Sequence, residues 1–561
     1  MPRQISRRDF VNAGVTATLG AALIPLEHVR ITPAFDLVIK NGTVLDGTGG
    51  PAWQGDLGIV GDTITALDSI APELGSRVLD AAGLHVSPGF IDIHSHSDFT
   101  IFAYPGADSR VRQGITTEVT GNCGSSAAPL QGVDADKRRA DLAEDTAAPV
   151  TWNGVASYFE TLEQFGISIN QAFLLGQGTL RRNVAGLEDR LLTADELDAV
   201  VAALEQGMDE GAFGLSTGLE YAPGMFTRTD EIVALASVVA GRGGLYASHI
   251  RNEEAALLAA VDEAIHIGRK SGVRVEIAHF KAAGRANWGK QRAALDLVES
   301  ARRDGVQVLA DAYPYTAYAT SLTIVLPSWA LSGGWPSLAQ RLNDSADRAR
   351  IRAHVISQIE NDPGGFDRIV ITGTRSDANR MVVGMNLEEI AESWQVEPVE
   401  AALRLILDEE GNVGIVGHGM SESNVEMVLS HPLVMVGSDG SSVAPTGKAA
   451  ETKPHPRYYG TCARVLAHYC RERGVFDLPT AVKKMTSMPA DQVGISDRGR
   501  VARGKKADLV VFSAERIQDE ATFADPHRFA SGIKYVLVNG EVAVDLGQPT
   551  GGRPGRVLRK A

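Results

Sequence analysis

The sequence has little cysteine, an excess of acidic over basic residues and no long internal apolar run, and each of these excludes a class of protein. Only three of the 561 residues are cysteine, so the chain is not built on a disulfide framework. The 54 basic and 69 acidic residues give a net charge of −15, which argues against nucleic acid as the partner. Beyond the N-terminal region no apolar run has membrane-spanning length, so stable membrane insertion is not expected. The remaining composition, 44% hydrophobic and 22% charged, is globular, and the length allows one large domain and a smaller one.

The N-terminal residues carry a pattern typical of an export signal. Ser6-Arg7-Arg8-Asp9-Phe10-Val11 is a twin-arginine pattern, and a mildly apolar run from Val15 to Leu26 follows it. Such a signal directs export of proteins that have already folded. The alternative is a basic, disordered tail. We therefore expect residues 1–34 to lie outside the folded domains, and we expect the protein to be exported, either to the periplasm or to the medium.

Both ends of the remaining chain show short strands joined by tight turns. Residues 35–86 contain strand-like runs with a turn at Asn41-Gly42, and residues 499–561 contain similar runs with a turn at Asn539-Gly540. Because the N-terminal stretch is small for an independent core, we expect the two ends to form one composite β-sandwich domain. That domain would lie beside a larger central one.

Residues 87–498 alternate short apolar strands with amphipathic helices, which is the signature of a parallel sheet. Eight candidate strands occur there: Phe90–Ile93, Ile115–Val119, Ala172–Leu175, Phe213–Ser216, Leu245–Ser248, Val275–Ala278, Val308–Ala310 and Leu433–Val436. They predict an α/β fold of the TIM type, a (β/α)8 barrel whose chemistry lies at the carboxyl ends of the strands. The last interval is too long for a loop, so we expect an insertion at residues 319–368. Ile369–Thr372 and Val413–Val416 could also be strands, which leaves the numbering of the later units open.

A His-x-His pair follows the first of these strands. His94 and His96 are two residues apart, so on an extended segment their side chains point the same way and can share one target. Neutral imidazole is the commonest protein ligand for zinc, which makes a metal ion the natural target. The alternative is a pair of exposed polar residues at a strand end. Further ligands at later strand ends favour the metal.

Four more residues with metal-binding side chains follow later barrel strands. Cys123 follows the second strand, His249 the fifth, His279 the sixth and Asp439 the eighth. Each has an ordinary alternative: a small buried hydrophobe for the cysteine, hydrogen-bonded core residues for the histidines, and a turn or cap residue for the aspartate. Because all of them fall on the functional rim of one barrel, we expect a common metal site.

These residues and their surroundings resemble the amidohydrolase superfamily, and within it the D-aminoacylases, which are N-acyl-D-amino-acid deacylases. The segments that carry the resemblance are Pro88–His96, Gly121–Gly124, Ser216–Pro223, Ser248–Arg251, His279–Lys281, Asp311–Tyr315, Gly437–Gly440 and His455–Gly460, together with the composite β domain. The resemblance implies that a tightly held zinc ion is bound by Cys123, His249 and His279. It also implies a second, weaker metal site, formed by His94, His96 and Asp439.

One departure from the wider superfamily bears on the number of metal ions. Many members bridge two metals with a carboxylated lysine from the fourth barrel strand, but that strand here, Phe213–Leu219, contains no lysine. A thiolate is a soft ligand suited to zinc, and with two imidazoles it leaves the fourth tetrahedral position open for water or substrate. The missing lysine therefore agrees with Cys123 as its replacement, and we expect one tight zinc and a weaker second site.

Asp439 is the expected proton carrier of a hydrolytic reaction at such a centre. A zinc ion there would polarise the scissile carbonyl or acidify a bound water molecule. Asp439 would take the proton of that water and pass it to the leaving amine. A nucleophilic serine is not needed, and the sequence Gly-x-Ser-x-Gly does not occur at a strand-to-helix turn.

The resemblance also implies which residues contact the substrate. Arg457 resembles the family's carboxylate-binding arginine, whose planar guanidinium can hold a carboxylate with two parallel hydrogen bonds. Lys281 resembles a second carboxylate contact. Tyr221 and Tyr313 resemble substrate-facing tyrosines, with Tyr315 as the alternative to the latter. For all of these the ordinary alternative is a solvated charge or a core aromatic residue.

The predicted activity is zinc-dependent hydrolysis of the amide bond of N-acyl-D-amino acids, which yields a carboxylate and a free D-amino acid. The D configuration is implied by the resemblance alone. Another zinc amidohydrolase with a free-carboxylate substrate, such as a dipeptide or a different N-acyl or N-aroyl amino acid, is the closest alternative. From a different class, a catalytically inactive barrel could serve as a binding protein, although a full ligand set with Asp439 counts against it.

Overall fold

The computed structural model describes residues 33–144, 146, 148–360 and 365–560. The twin-arginine pattern and the apolar run after it lie outside these residues, so the export signal stays a prediction. The described strands, numbered along the chain, are β1 Phe35–Val44, β2 Trp53–Val60, β3 Thr63–Asp68, β4 Gly75–Asp80, β5 His85–Pro88, β6 Phe90–Asp92, β7 Ile115–Thr120, β8 Asn170–Gly176, β9 Gly214–Gly218, β10 Leu245–His249, β11 Arg274–Ile277, β12 Val308–Ala312, β13 Tyr318–Ser321, β14 Ile369–Thr374, β15 Val413–Gly417, β16 Val434–Val436, β17 Leu509–Phe512, β18 Ile533–Val538, β19 Glu541–Asp545 and β20 Gln548–Pro549.

The α-helices of the described residues lie mostly between barrel strands. They are α1 Ser97–Thr100, α2 Asp108–Val111, α3 Ala135–Ala143, α4 Val155–Phe165, α5 Gln177–Ala185, α6 Ala194–Asp209, α7 Thr229–Gly241, α8 Leu257–Ser271, α9 Gln291–Arg303, α10 Ser328–Leu331, α11 Gly334–Asn343, α12 Ser345–Glu360, α13 Leu387–Trp394, α14 Pro398–Asp408, α15 Glu422–Ser430, α16 Arg457–Arg464, α17 Leu478–Met485 and α18 Ser487–Val493. A π-helical stretch, Val465–Glu472, continues α16. None of these helices is both long and apolar enough to cross a membrane.

All eight predicted barrel strands are confirmed, and they form one parallel sheet. Its order is β6-β7-β8-β9-β10-β11-β12-β16, which follows the chain. A parallel bridge between Ser95 and Gly440 connects the loops after its first and last strands. Helices cover the outer side of the strands and side chains fill the interior, so both faces of the sheet are buried. Their carboxyl ends, where the candidate ligands lie, therefore surround one opening.

The two ends of the chain combine in one composite domain, as the sequence predicted, and all their strands belong to a single nine-stranded sheet. Its order is β20-β19-β18-β17-β5-β1-β2-β3, with β4 paired to β1. The join between the two ends is antiparallel, with Pro88 opposite Leu509 and His85 opposite Phe512. Apolar residues of both segments share one core, for example Ile39 and Leu537. Neither end completes this core alone.

The insertion between the seventh and eighth barrel strands is longer than the predicted 319–368. Strands β13, β14 and β15 form a separate three-stranded antiparallel sheet, which spans Tyr318 to Gly417. Helices α10 to α14 pack on it around a hydrophobic core of their own. The two runs left open as strands are therefore real strands outside the barrel. Antiparallel pairing with each other excludes them from a sheet in which all strands are parallel.

Candidate metal centre

The six predicted metal ligands meet at the carboxyl ends of five barrel strands, β6, β7, β10, β11 and β16. Cys123 is the member on which the others converge, with Sγ 3.3 Å from Nε2 of His94 and 3.5 Å from Nε2 of His279. Asp439 lies on the opposite side, with Oδ1 3.1 Å from Nε2 of His96. Every one of these side chains is at least partly buried, so water is largely excluded from the charges.

The ligand atoms form two overlapping groups, in each of which all atoms lie within 4.8 Å of one another. One group is Cys123, His249 and His279, and the other is His94, His96, Cys123 and Asp439. They correspond to the predicted tight and weak sites, except that Cys123 belongs to both. A single thiolate therefore lies where it can bridge two metal positions.

The backbone is left-handed at three of these ligands. The φ angles are 51° at Cys123, 34° at His279 and 51° at Asp439. Residues with a Cβ seldom adopt positive φ because of steric crowding, and such strain is concentrated at functional sites. Here it turns each side chain inward just past the end of its strand.

Strand β9, the fourth of the barrel, supplies none of the six candidate ligands, and it ends in a glycine for a steric reason. A Cβ built on Gly218, its last residue, would lie 2.0 Å from the carbonyl oxygen of Cys123. The loop that carries the thiol thus presses against the end of β9, and only glycine leaves room for it.

The electrostatic surroundings favour a thiolate and a carboxylate. Burial alone would raise the pKa of the Cys123 thiol, but the neighbouring His94 and His279 outweigh burial and hold that pKa well below its ordinary value. Burial would likewise raise the pKa of Asp439, which Arg457 and His96 instead hold well below its usual range. Both shifts favour the deprotonated forms, which are the forms that bind metal ions.

Three carboxylates that sequence analysis did not assign orient the imidazoles. Oδ2 of Asp311 lies 3.3 Å from Nδ1 of His94, and Oε1 of Glu253 lies 2.8 Å from Nδ1 of His279. In both rings Nε2 is then the nitrogen that faces Cys123. Carboxylates behind ligating histidines fix the ring tautomer and strengthen the ligand.

In His249 the two ring nitrogens have exchanged roles, so that Nε2 faces the carboxylate. Its Nε2 lies 3.1 Å from Oε2 of Glu220, while its Nδ1 is buried with no hydrogen-bond partner. A buried acceptor nitrogen without a partner is costly, and a metal ion would satisfy it. The signal in the sequence was an acidic residue shortly after a barrel strand, as Glu220 follows β9 and Glu253 follows β10.

Arg457 begins helix α16 and points at the metal centre. It is only 3% exposed, and its Nη1 lies 3.0 Å from Oδ2 of Asp439. Nη2 donates weakly to the carbonyl of Ala319, in the insertion, at 3.4 Å. The guanidinium stacks over the ring of Tyr313, with Cζ 4.9 Å from its centroid. Both amino groups therefore lie at the rim of the barrel opening.

Lys281 is buried beside the centre but already has partners. Its Nζ donates to Oε1 of Glu253 at 2.6 Å and to the carbonyl of His279 at 3.2 Å. Nζ also lies 3.0 Å from Nδ1 of His279, so protein atoms lie within reach of all three of its N–H groups. Burial lowers the pKa of Lys281, but Glu253 outweighs burial, so the side chain stays charged.

The structure separates the two tyrosines between which the sequence left a choice. Tyr313 is 4% exposed, has a hydroxyl without a partner, and lies between the cations of Arg457 and Lys281. Tyr315 packs away from the centre, edge-to-face against His455 and under Arg464. The hydroxyl of Tyr315 also lacks a partner, but of the two rings only that of Tyr313 lies against both Arg457 and Lys281. The ring of Tyr221 packs against that of His249 at a tilt of 59°, with ring centroids 4.7 Å apart.

Comparison with known proteins gives the same picture from independent data. Residues 77–544 match the model of the amidohydrolase family. An N-acyl-D-glutamate deacylase of Alcaligenes xylosoxydans xylosoxydans is 39% identical over 534 residues, which is 94% of this chain and 96% of the relative. The N-acyl-D-aspartate deacylase of the same organism is 35% identical over 93% of this chain and 95% of its own.

Solved structures of similar proteins cover the same span. That of N-acyl-D-glutamate deacylase from Bordetella bronchiseptica, complexed with zinc and a phosphonate mimic of the tetrahedral intermediate, superposes with a TM-score of 0.80. It is 35% identical, over 94% of this chain and 99% of that one. A D-aminoacylase structure, described in terms of a binuclear metal centre with one-metal activation and second-metal attenuation, has a TM-score of 0.78 at 33% identity, over 94% and 100%.

Proposed function

Because this chain belongs to the amidohydrolase family, we propose that it hydrolyses the amide bond of N-acyl-D-amino acids to a carboxylate and a free D-amino acid. The observation that carries the proposal is the placement of Arg457 beside Asp439, inside a cluster of thiol and imidazole ligands. The guanidinium of Arg457, a group suited to carboxylate binding, thus lies next to Asp439, the candidate general acid–base residue. The two deacylases among the relatives, whose alignments cover 94% and 93% of this chain, support the same substrate class.

The residues fit a zinc centre. We propose that Cys123, His249 and His279 hold one tight zinc, and that His94, His96 and Asp439 offer a second, weaker position. The fit rests on a soft thiolate with two imidazoles and on the unpartnered Nδ1 of His249. When bound, zinc would act as a Lewis acid on the scissile carbonyl and acidify water.

Asp439 is the residue placed to move the proton. Its Oδ1 is close to His96 and its Oδ2 to Arg457, so the carboxylate is held from two sides at the mouth of the barrel. From that position it accepts a proton from the attacking water and returns it to the leaving nitrogen. Glu220, Glu253 and Asp311 lack this freedom, because each lies behind an imidazole.

Arg457 binds the free carboxylate of the substrate, with Lys281 as a second cation. Since Glu253 already compensates the charge of Lys281, the arginine contributes more of the attraction. The unpartnered hydroxyl of Tyr313 adds a donor between the two cations. These contacts fix the α-carboxylate at one end of the substrate, so that the amide extends toward the metal ligands.

Another substrate with a free carboxylate is the alternative. Arg457 would bind the carboxylate of a dipeptide or of an N-aroyl amino acid equally well, because the contact does not depend on the acyl group. The D configuration and the N-acyl group come from the relatives. The side-chain class among acidic, aliphatic and aromatic substrates is the property that the test must establish.

The decisive experiment is a stereochemically resolved substrate panel with metal quantified in the same sample. N-acetyl-D-amino acids with acidic, aliphatic and aromatic side chains are assayed beside their L enantiomers and beside dipeptides. We expect turnover of at least one D series, and much slower turnover of the L series. Preferential cleavage of L substrates or of dipeptides would replace the proposal with the alternative, and a protein without metal or turnover would point to a binding role.

A further inference from the structure

His455 lies two residues before Arg457 and has no part in the chemistry above. It is 1% exposed, and its ring is enclosed by aromatic side chains. Tyr315 packs edge-on at a centroid distance of 5.0 Å, and Phe523 does so at 4.9 Å. Phe523 comes from the connection between β17 and β18 of the terminal sheet, so two distant parts of the chain hold this imidazole in place.

Both ring nitrogens of His455 have backbone partners. Nδ1 lies 3.0 Å from the amide nitrogen of Arg457, which donates to it, and Nε2 lies 2.9 Å from the carbonyl oxygen of Ala317. Only a neutral ring with its proton on Nε2 satisfies both contacts. Burial lowers the pKa of His455 well below its ordinary value, and the charge of Arg457 adds to this effect, so the neutral form is retained.

The amide that His455 accepts is one that the helix itself cannot satisfy. Arg457 is the first residue of α16, and the first N–H groups of a helix have no acceptor within it. The imidazole therefore ties the start of α16 to Ala317, just before the insertion. The guanidinium of Arg457 contacts Ala319 and Asp439 from this fixed starting point.

We propose that His455 is a positioning residue for recognition of the substrate carboxylate. By accepting the amide hydrogen of Arg457, it sets the direction from which the guanidinium approaches the barrel opening. The role concerns a free carboxylate on an N-acyl amino acid, and it rests on the function proposed above. It acts on substrate binding and leaves the metal ligands untouched, because none of them contacts the ring of His455 by a hydrogen bond.

Two polar substitutions separate the two hydrogen bonds. In His455→Asn the side-chain oxygen lies two bonds from Cβ, as Nδ1 does, so it can still accept from Arg457 while the contact to Ala317 is lost. In His455→Gln the longer side chain reaches toward Ala317 in place of Nε2 and no longer serves Arg457. His455→Phe keeps a ring and loses both contacts.

The measurement is kcat and KM on an N-acetyl-D-amino acid that the parent cleaves and on its matching amide, with zinc quantified in each variant. We expect His455→Gln and His455→Phe to raise KM for the acid roughly tenfold, the size of effect of a lost hydrogen bond that orients a charged group. KM for the amide and the zinc content should change little. His455→Asn should stay near the parent.

Equal losses on acid and amide, or Asn and Gln variants that cannot be told apart, would overturn the positioning role. If His455→Phe does not fold, the comparison of Asn with Gln decides alone. The activity of the parent enzyme tests the proposed function independently of the role of His455. A parent that cleaves the acids while the variants behave alike overturns only the role of His455, whereas a parent that cleaves none overturns both.

Discussion

Arg457 and Asp439 form a buried ion pair, with Nη1 of the arginine 3.0 Å from Oδ2 of the aspartate. The guanidinium for which we propose substrate binding therefore already contacts the carboxylate for which we propose proton transfer. A substrate carboxylate that arrives at Arg457 must share it with Asp439. Binding and proton transfer thus depend on the same side chain, and the predictions below separate the two.

Replacement of Arg457 should affect acids far more than amides. Arg457→Ala leaves the buried carboxylate of the substrate without its partner. The loss should be roughly 2–5 kcal/mol and should appear in kcat/KM for N-acyl-D-amino acids. Arg457→Lys keeps the charge without the two-pronged geometry, so its loss should be smaller. The matching amides lack the carboxylate and should be affected much less. Equal losses on acid and amide would assign Arg457 to support of Asp439 alone.

Replacement of Asp439 should stop turnover without emptying the tight metal site. Asp439→Asn keeps the size of the side chain and removes its basicity, and general acid–base catalysis contributes ~10²–10⁴-fold, so kcat should fall by at least that range. The zinc bound by Cys123, His249 and His279 should remain. Metal analysis and kcat on the same preparation test this together. An Asn variant within a few-fold of the parent would exclude Asp439 as the proton carrier.

The purified protein should contain about one tight zinc per chain. Cys123→Ser should weaken that zinc more than His94→Ala does, because Cys123 belongs to both ligand groups and His94 to the weaker one. Since the thiol must lose its proton to bind, zinc binding should release a proton, and affinity should fall in acid. Titration with a chelator, followed by metal analysis, gives the ranking. Two equally tight ions that both survive Cys123→Ser would contradict it.

Lys484 should make stability depend on pH above neutrality. It is buried, its Nζ donates to the carbonyl groups of His431 and Val434, and burial lowers its pKa to about 7. The unfolded chain, with the ordinary higher pKa, binds more protons between that value and about 10, so stability should rise with pH across this window. Below pH 7 Lys484 is protonated in both the folded and the unfolded protein, so its contribution to the free energy of unfolding no longer changes with pH.

The comparison uses Lys484→Met, with Lys483→Met as the control on the exposed neighbouring residue. The melting temperature of the parent relative to Lys484→Met should increase as pH is raised from 7 to about 10. The parent and Lys483→Met should follow each other across the same range. A constant gap between the parent and Lys484→Met would mean that Lys484 has an ordinary pKa in the folded protein.

Much of the fold was predictable from local patterns. Strand β8, for example, is buried along its whole length, and its residues Ala172–Leu175 form a short apolar run that is visible without knowledge of their neighbours. The insertion was misjudged because Ile369–Thr374 and Val413–Gly417 have the same local pattern, and only their mutual antiparallel pairing removes them from the barrel. Pairing direction is a property of the tertiary structure.

The site was predictable to the extent that its residues immediately follow strands. His94, Cys123 and Asp439 were found in this way. Glu220 and Glu253 were missed, because they act on imidazoles from loops and nothing in their spacing indicates which histidine they serve. The choice between Tyr313 and Tyr315 likewise needed side-chain directions, since neighbouring residues past a strand end can point to opposite sides.

The pairing of β5 with β17 places a constraint on biosynthesis. Strands β1 to β5 are made first, whereas β17, which covers the free edge of β5, is made near the end of the chain. Until then the N-terminal strands present unpaired backbone groups, the feature that leads to wrong pairing between chains. The edge of β5 therefore stays unpaired while the whole barrel is synthesised. A premature stop before Leu509 would leave this edge exposed in every copy.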